Sequence, residues 1–252
     1  MDLINLIKRS RRVVVLTGAG MSTESGLKDF RSNGGLWAGK DPMEIASTKT
    51  IRPKQAEETV TQYENRINDF VDFYTWRIKE VQQHEPNEGH RILAKWQKDR
   101  YIREIITQNV DGYHQKAGST DVIELHGNIT ELHCDNCKAK YSSNRYTHKP
   151  SDDLCDHCGG LIRPNIVLFG EPLGPSINQA NKAAREAHLL LVIGTSLQVA
   201  PANWLPIETI QNGGAFAIIN REPTELDAHA NCVVNGEIGQ ILQYIDSQLY
   251  PS

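Results

Sequence analysis

The sequence predicts an α/β fold built around a doubly wound, Rossmann-like parallel sheet. Two short runs of Val, Leu and Ile, at residues 13–16 and 189–193, are typical of strands that are covered on both faces. A glycine follows each run within two residues, as it does where strands lead into a ligand-binding turn. Helical patterns separate the apolar runs, and this alternation favours parallel strands joined by helices.

A long amphipathic helix is predicted over about residues 54–83, where apolar side chains recur at helical spacing: Val60, Tyr63, Ile67, Phe70, Val71 and Tyr74. Pro86 ends this pattern. The other predicted elements are a short helix around 92–96, strands at 101–106, 122–125, 166–169, 215–219 and 232–234, and helices at 177–187, 202–211 and 237–249. A length of 252 residues fits one large domain with insertions or two domains.

Composition excludes several classes of protein. The net charge of −4 provides no overall positive field, so direct nucleic-acid binding is not expected. No apolar run is long enough to suggest a membrane span, and the first residues lack the order of a signal peptide. We therefore expect a cytoplasmic protein without membrane contact, and we expect it to be a monomer.

The turn after the first strand is a candidate nucleotide site. It contains Gly18, Ala19, Gly20, Met21 and Ser22, and its glycines allow a close approach of the backbone to a pyrophosphate. The third glycine of the usual dinucleotide fingerprint is missing, which disfavours an ordinary dehydrogenase. The alternative interpretation is a tight turn without a ligand.

Four of the five cysteines form two pairs, and they carry the strongest local signal in the sequence: Cys134, Cys137, Cys155 and Cys158. Two Cys-x-x-Cys knuckles supply the four thiolates that a tetrahedral zinc ion prefers. All four positions are sulfur, so no site is left for water or substrate, and the zinc should be structural. The surrounding segment has little apolar periodicity and needs such a source of stability. The alternative is a set of buried free thiols.

Polar groups follow several other predicted strands, where α/β proteins place their chemistry. They are Gln108, Asn109 and Asp111 after the strand at 101–106, His126 after 122–125, Gly194, Thr195 and Ser196 after 189–193, and Asn220, Arg221 and Glu222 after 215–219. Each group has a simpler explanation as a turn or as a core histidine. Their joint occurrence at successive strand ends favours a binding site.

These motifs occur in the order found in the sirtuins, which are NAD-dependent protein lysine deacylases, and the chain resembles that family from about residue 11 to 245. The resemblance includes Asp29, Phe30 and Arg31 as well. One departure is Lys28, which stands where the family usually has proline. It removes a rigid residue from the loop that covers the cofactor.

The resemblance implies an NAD-binding Rossmann domain formed by residues 1–37, 99–129 and 163–252, and a smaller domain formed by a helical insertion at 38–98 and a zinc-binding insertion at 130–162. It implies that nicotinamide is released while the acyl group passes from lysine to ADP-ribose. His126 would be the general base, with Asn109 and Asp111 as further catalytic residues. The other cofactor-binding residues would be those of the loops named above, with Trp37 and Ile238. The peptide would pair with Val167, Phe169, Gly170, Glu171, Leu197 and Val199 as an added strand.

The long helix adds an expectation about the acyl group. Its apolar stripe reaches Arg77, which shares a face with Tyr74. An inward guanidinium is costly unless an anion meets it, and arginine pairs with a carboxylate through two hydrogen bonds. The same Tyr-x-x-Arg arrangement occurs in the sirtuins that remove succinyl and malonyl groups, so we expect these activities beside deacetylation. The alternative is an Arg77 at the edge of the stripe, paired with Glu80 or Asp72.

Three other functions compete with this interpretation. A dehydrogenase would transfer hydride without releasing nicotinamide. A mono-ADP-ribosyltransferase would use the same NAD site but leave ADP-ribose on protein. A zinc module that binds nucleic acid is disfavoured by the aspartates around the knuckles: Asp135, Asp152, Asp153 and Asp156.

Overall fold

The computed structural model describes residues 3–30, 34–36, 41–146 and 153–250. The chain divides into two compact units. The large unit comprises Met1–Asp29, Glu85–Leu125 and Leu173–Ser252, and the small unit comprises Phe30–His84 and His126–Pro172. None of the described helices combines the length and the apolarity that crossing a bilayer requires.

The strands along the chain are β1 (Val13–Thr17), β2 (Glu104–Thr107), β3 (Val122–Glu124), β4 (Gly127–Cys134), β5 (Lys140–Ser142), β6 (Ile162–Ile166), β7 (Leu189–Ile193), β8 (Ala215–Asn220) and β9 (Cys232–Asn235). The α-helices are α1 (Leu3–Arg9), α2 (Pro42–Ile45), α3 (Thr48–Ile51), α4 (Val60–Gln83), α5 (Glu88–Lys98), α6 (Tyr113–Lys116), α7 (Ser176–Glu186), α8 (Leu205–Gln211) and α9 (Ile238–Leu249).

The large unit is built on a parallel sheet with the strand order β3-β2-β1-β7-β8-β9. This is the doubly wound order, in which the chain reverses its direction of travel between β1 and β7. The predicted fold class is confirmed. Ligands bind such sheets at the reversal point, beyond the carboxyl ends of the two central strands.

Both faces of this sheet are covered. Val13 and Val15 of β1 belong to a core with α1, α5 and α9, whereas Val14 and Leu16 belong to a second core with α7 and α8. An uninterrupted apolar strand is stable only in such a position, which explains why β1 and β7 carry no polar alternation. The two layers of helices hold the strand ends, and the loops that follow them, in fixed positions.

The predicted strand at 101–106 begins later than expected. Tyr101 and Ile102 both donate backbone hydrogen bonds to the carbonyl of Trp96, so they close the end of α5. Arg100 turns the chain with a left-handed φ of 66°. These bonds delay the entry into β2, which starts at Glu104.

The helix α4 of the small unit also starts later than predicted, at Val60. Thr59 and Gln62 form a capping box that fixes the first turn. The preceding loop is held by Arg66, whose guanidinium contacts Glu58 and the carbonyls of residues 49, 50 and 52. Val60 is 59% exposed and so lies outside the buried stripe, contrary to its place in the predicted pattern.

The small unit contains a three-stranded antiparallel sheet, with the order β5-β4-β6, that the sequence did not predict. The predicted strand at 166–169 is wrong, because β6 ends at Ile166 and its pairing with β4 stops there. Residues 167–169 instead leave the sheet and enter a turn. The two cysteine knuckles therefore belong to the unit that contains this small sheet, and not to the large parallel sheet.

Candidate functional site

The loops after β1 and β7 meet at the reversal point of the large sheet. Gly20 donates a backbone hydrogen bond to the carbonyl of Gly194 over 2.8 Å. Gly194 has a φ of 64°, and a methyl group on it would collide with the amide nitrogen of Met21. Only glycine fits this position, since it needs both a left-handed backbone and a close approach. The loop after β1 continues as the 3₁₀ helix Ala19–Ser25.

Three buried polar side chains form a cluster beyond the ends of β1 and β2. The Ser22 hydroxyl donates to Asp111 Oδ2 over 2.7 Å and accepts from Asn109 Nδ2 over 3.1 Å. The other oxygen of Asp111 accepts from the amide of Tyr113. We call Ser22, Asn109 and Asp111 the polar cluster. It offers amide, hydroxyl and carboxylate groups to a ligand that is rich in hydroxyls or amides.

A second polar network, which sequence reasoning missed, lies behind this cluster. The hydroxyl of Thr17 donates to Thr107 over 2.8 Å and lies 2.9 Å from His114 Nε2. Because Thr17 donates to Thr107, we assign the proton of this contact to His114 Nε2. Thr107 in turn accepts from the amide of Asn109 over 3.0 Å. The signal was present, since Thr17 and Thr107 are the last residues of two neighbouring strands and pair in register.

The remaining predicted cofactor residues of the large unit follow the same sheet edge. Gln108 donates to the hydroxyl of Thr195 over 3.0 Å, which joins the loops after β2 and β7. After β8, Asn220 donates to the carbonyl of Glu222 over 2.8 Å and Arg221 pairs with Glu237. Ser196 is half-buried beside Thr195, and Ile238 is the first residue of α9.

Another contact that the sequence did not predict joins the 3₁₀ helix to α9. The carboxylate of Glu24 accepts a hydrogen bond from the amide of Gly239 over 2.9 Å. That amide is one of the unpaired donors at the start of α9, where a negative charge is favourable. A side chain at position 239 would collide with the carboxylate, so glycine admits Glu24 here.

Several predicted residues are not brought together by this unit. Arg31 and Trp37 lie outside the described residues. Asp29 ends the first segment of the large unit, and Phe30 begins the small unit. His126 belongs to the small unit, where it is half-buried just before β4 and its carbonyl accepts from the amide of Val167 over 2.9 Å.

The four predicted metal ligands do come together. The sulfur atoms of Cys134, Cys137, Cys155 and Cys158 all lie within 4.8 Å of one another. The pairs Cys134–Cys158 and Cys137–Cys155 are 3.5 Å apart, which is far too long for a disulfide. A tetrahedron with Zn–S bonds of about 2.3 Å has edges of about 3.8 Å, so the cluster has the size that zinc requires.

The groups around the sulfur atoms also suit a thiolate site. The amides of Cys137 and His157 point at Cys134 and Cys155, respectively, and the Tyr141 hydroxyl lies 3.0 Å from Cys155. Such donors stabilise sulfur that carries negative charge. His157 is exposed, and the cluster found among the described residues consists of cysteines alone.

The predicted peptide segment of the small unit is a closed turn. Glu171 donates its amide to the carbonyl of Leu168, and its carboxylate accepts from the amide of Leu168 over 2.8 Å. Phe169 exchanges backbone hydrogen bonds with the segment 46–48, over 2.9 Å in each direction. The backbone groups of Leu168 and Phe169 are therefore occupied. The amide of Val167 donates to His126, so an added strand would have to pair with the carbonyl of Val167 or with Gly170 instead.

Tyr74 and Arg77 both lie on the buried side of α4, and Arg77 is only 7% exposed. Burial raises the pKa of Tyr74 well above its usual value, so its hydroxyl stays protonated and can donate. The charges of Arg163 and Glu171 act on this hydroxyl as well.

The other two predicted peptide-binding residues lie in the large unit. Leu197 is buried with a left-handed φ of 55°, and Val199 is half-buried.

Comparison with known proteins agrees with this arrangement. The family model described as "Sir2 family" matches residues 18–201. The chain is 47% identical to NAD-dependent protein deacetylase 1 of Geobacillus kaustophilus, over 99% of this chain and 98% of that protein. A solved complex of a mutant Sir2 homologue with ADP-ribose superposes with a TM-score of 0.88 at 33% identity, covering 99% of this chain and 96% of that one. A Sir2 complex with a p53 peptide and NAD+ gives a TM-score of 0.81 at 34% identity, covering 98% of each chain.

Proposed function

We propose that this chain, which belongs to the Sir2 family, is an NAD-dependent protein lysine deacylase. The polar cluster of Ser22, Asn109 and Asp111 is the observation that carries the proposal. It lies beyond β1 and β2, where a Rossmann-like sheet holds a dinucleotide. The relatives reported above are named for deacetylation, or were solved with ADP-ribose or NAD+. They favour deacylation over ADP-ribosyl transfer to protein.

The residues of the large unit suit NAD. The two facing loops, which meet at Gly20 and Gly194, would hold the pyrophosphate, and the residues after β8 with Ile238 would hold the adenosine half. Asp111 would accept a hydrogen bond from the nicotinamide amide. Asn109 and Gln108 would hold the adjoining ribose. When bound, NAD supplies a ribose carbon from which nicotinamide can leave, so that the acyl oxygen of lysine can bond there.

His126 would act as the general base. Imidazole exchanges a proton near neutral pH, and a ring nitrogen of His126 would accept the proton of a ribose hydroxyl. The hydrogen bond between its carbonyl and Val167 fixes the backbone on which the ring is mounted. The peptide carrying the acyl-lysine would pair with backbone groups next to the occupied ones of the turn 168–171. Zinc would hold the knuckles together and take no part in the chemistry.

The finer proposal concerns the acyl group. Arg77 is buried on the same face of α4 as Tyr74. We assign Arg77 to the carboxylate of a succinyl or malonyl group, with the neutral Tyr74 hydroxyl as a second donor. Arginine binds a carboxylate through two parallel hydrogen bonds, and a buried site strengthens them.

The test compares kcat/KM on peptides that differ only in a succinyl, malonyl or acetyl group. Arg77→Met should lower the ratio of succinyl to acetyl activity by roughly tenfold or more, since a charge-assisted contact contributes about 1.5–3 kcal/mol. Lys79→Met, an exposed change on the same helix, should leave the ratio unchanged. An equal loss on all three peptides would show that Arg77 is structural, as a pairing with Glu80 or Asp72 would make it.

A further inference from the structure

The guanidinium of Arg163 bridges two parts of the small unit. Arg163 lies in β6 and is 4% exposed. Its Nε donates to Asp135 over 2.9 Å, its Nη2 donates to Glu171 over 2.5 Å, and its Nη1 donates to the carbonyl of Ile166 over 3.0 Å. A planar guanidinium can reach all three acceptors at once, whereas the compact ammonium of lysine cannot.

Each carboxylate that Arg163 binds is itself part of a rigid local structure. Asp135 is the second residue of the first zinc knuckle, and its amide donates to the carbonyl of Leu161. Glu171 closes the turn 168–171 by accepting from the amide of Leu168. One side chain therefore connects the knuckle to the turn that is proposed to bind the peptide.

The second knuckle provides an internal comparison. Asp156 follows Cys155 as Asp135 follows Cys134, and it also pairs with an arginine, Arg145, over 2.6 Å. Arg145 also contacts the carbonyl of Leu154 and lies over the ring of Tyr141, both beside the same knuckle, and its ion pair is exposed. The two knuckles thus have matched Asp–Arg pairs, and the Asp135 pair is the one whose arginine also reaches the turn.

We propose that Arg163 is a positioning residue that transmits the geometry of the first knuckle to the peptide-binding turn. This inference rests on the proposed function, because that function assigns the peptide to residues 167–171. Removing either carboxylate would leave a buried guanidinium partly unpaired and allow the turn to open. Peptide binding would weaken, while NAD binding in the large unit would be unaffected. The charges of Arg163 and Glu171 also act on the Tyr74 hydroxyl, so loss of this ion pair would alter the electrostatic environment of α4.

The test compares zinc-loaded wild type with Asp135→Asn and Asp156→Asn, which change matched positions of the two knuckles. Arg163→Lys and Glu171→Gln test the other two members of the connection. The measurements are zinc content, melting temperature, the anisotropy of a fluorescent acetyl-lysine peptide without turnover, and separate KM values for peptide and NAD.

We expect Asp135→Asn, Arg163→Lys and Glu171→Gln to keep the zinc and to weaken peptide binding about tenfold, with the NAD KM within about twofold of wild type. Asp156→Asn should match wild type in all measurements. Equal peptide affinity in Asp135→Asn and Asp156→Asn would overturn the inference, as would a parallel rise in both KM values. If wild type bound the peptide but released no nicotinamide, the proposed function would fail, and the anisotropy comparison would still decide the role of Arg163.

Discussion

Ser22 donates a hydrogen bond to the carboxylate of Asp111 over 2.7 Å, although 89 positions separate the two residues in the sequence. Both are buried, and they follow the neighbouring strands β1 and β2 of the large sheet. A buried carboxylate must be hydrogen-bonded, and here one of its two donors, Ser22, comes from the glycine-containing loop, while the other is the amide of Tyr113. The two loops therefore keep a fixed geometry around the proposed nicotinamide site.

Ser22→Ala removes the donor to Asp111 and the acceptor for Asn109. A hydrogen bond to a charged group contributes about 1.5–3 kcal/mol, so the KM for NAD should rise roughly tenfold or more, with little change in the KM for peptide. Ser25→Ala is the matched control, because its hydroxyl is buried in the same 3₁₀ helix and has no hydrogen-bond partner in the described part of the chain. Similar NAD constants for both variants would contradict this role of Ser22.

Glu24 and Gly239 should act as a pair. Glu24→Ala and Gly239→Ala both remove the carboxylate from the start of α9, the first by deletion and the second by collision. We expect both to raise the KM for NAD several-fold, because the 3₁₀ helix loses its tie to α9. Glu24→Gln keeps an acceptor oxygen and should stay near wild type. An NAD titration in which Glu24→Gln behaves like Glu24→Ala would argue against the hydrogen bond as the cause.

Two buried histidines predict how stability depends on pH. Burial, with the nearby charges of His114 and Arg91, lowers the pKa of His90 to about 2, and burial lowers the pKa of His114 to about 4. The unfolded chain binds protons at these sites near pH 6.5, so it holds more protons than the native state below that pH. Stability should therefore fall as the pH drops from about 6.5 toward 4, by about 2 kcal/mol per histidine at pH 5.

Urea unfolding at pH 7 and pH 5 measures this loss. His114→Gln keeps a donor for Thr17 but replaces a buried native side chain, so the variant should be less stable than wild type at pH 7. Because glutamine cannot titrate, the variant should lose less stability than wild type between pH 7 and pH 5. The same loss in the variant and in wild type would assign the effect to other groups.

Zinc removal tests the four-cysteine cluster. A chelator should lower the melting temperature and abolish activity, because the knuckles hold the ends of β4 and the segment before β6 through the metal. Re-addition of zinc should restore both. Cys232→Ser, which changes the fifth cysteine in β9 of the large unit, should bind zinc as wild type does. A zinc-free protein that keeps its melting temperature and its rate would contradict a structural metal.

The parallel sheet could be predicted from the sequence because its strands are buried on both faces and appear as uninterrupted apolar runs. The candidate site residues in the loops after the strands could be predicted from the sheet, because ligand-binding groups in such folds cluster at the carboxyl ends of the strands. The match to the Sir2 family confirms the predicted resemblance. The preference for acidic acyl groups stays a prediction that rests on Arg77.

The small antiparallel sheet could not be predicted in the same way. Its strands lack both regular alternation and uninterrupted apolar runs, and the cysteine cluster adjoins the end of β4, where Cys134 is the last residue. Contacts between residues that are far apart in the sequence could not be predicted either. Arg163 meets Asp135 across 28 positions, and no local pattern indicates that pairing. Thr17, Thr107 and His114 are ordinary residues in the sequence until the register of β1 and β2 brings the two threonines together.

Nicotinamide release from NAD in the presence of acyl-lysine peptides tests most directly whether this chain uses NAD to deacylate lysine. We expect nicotinamide, free lysine and O-acyl-ADP-ribose to form in equal amounts, and His126→Ala to abolish the acyl-ADP-ribose product. Nicotinamide release that does not depend on the acyl peptide, label from NAD that stays on protein, or an unchanged rate in His126→Ala would contradict it.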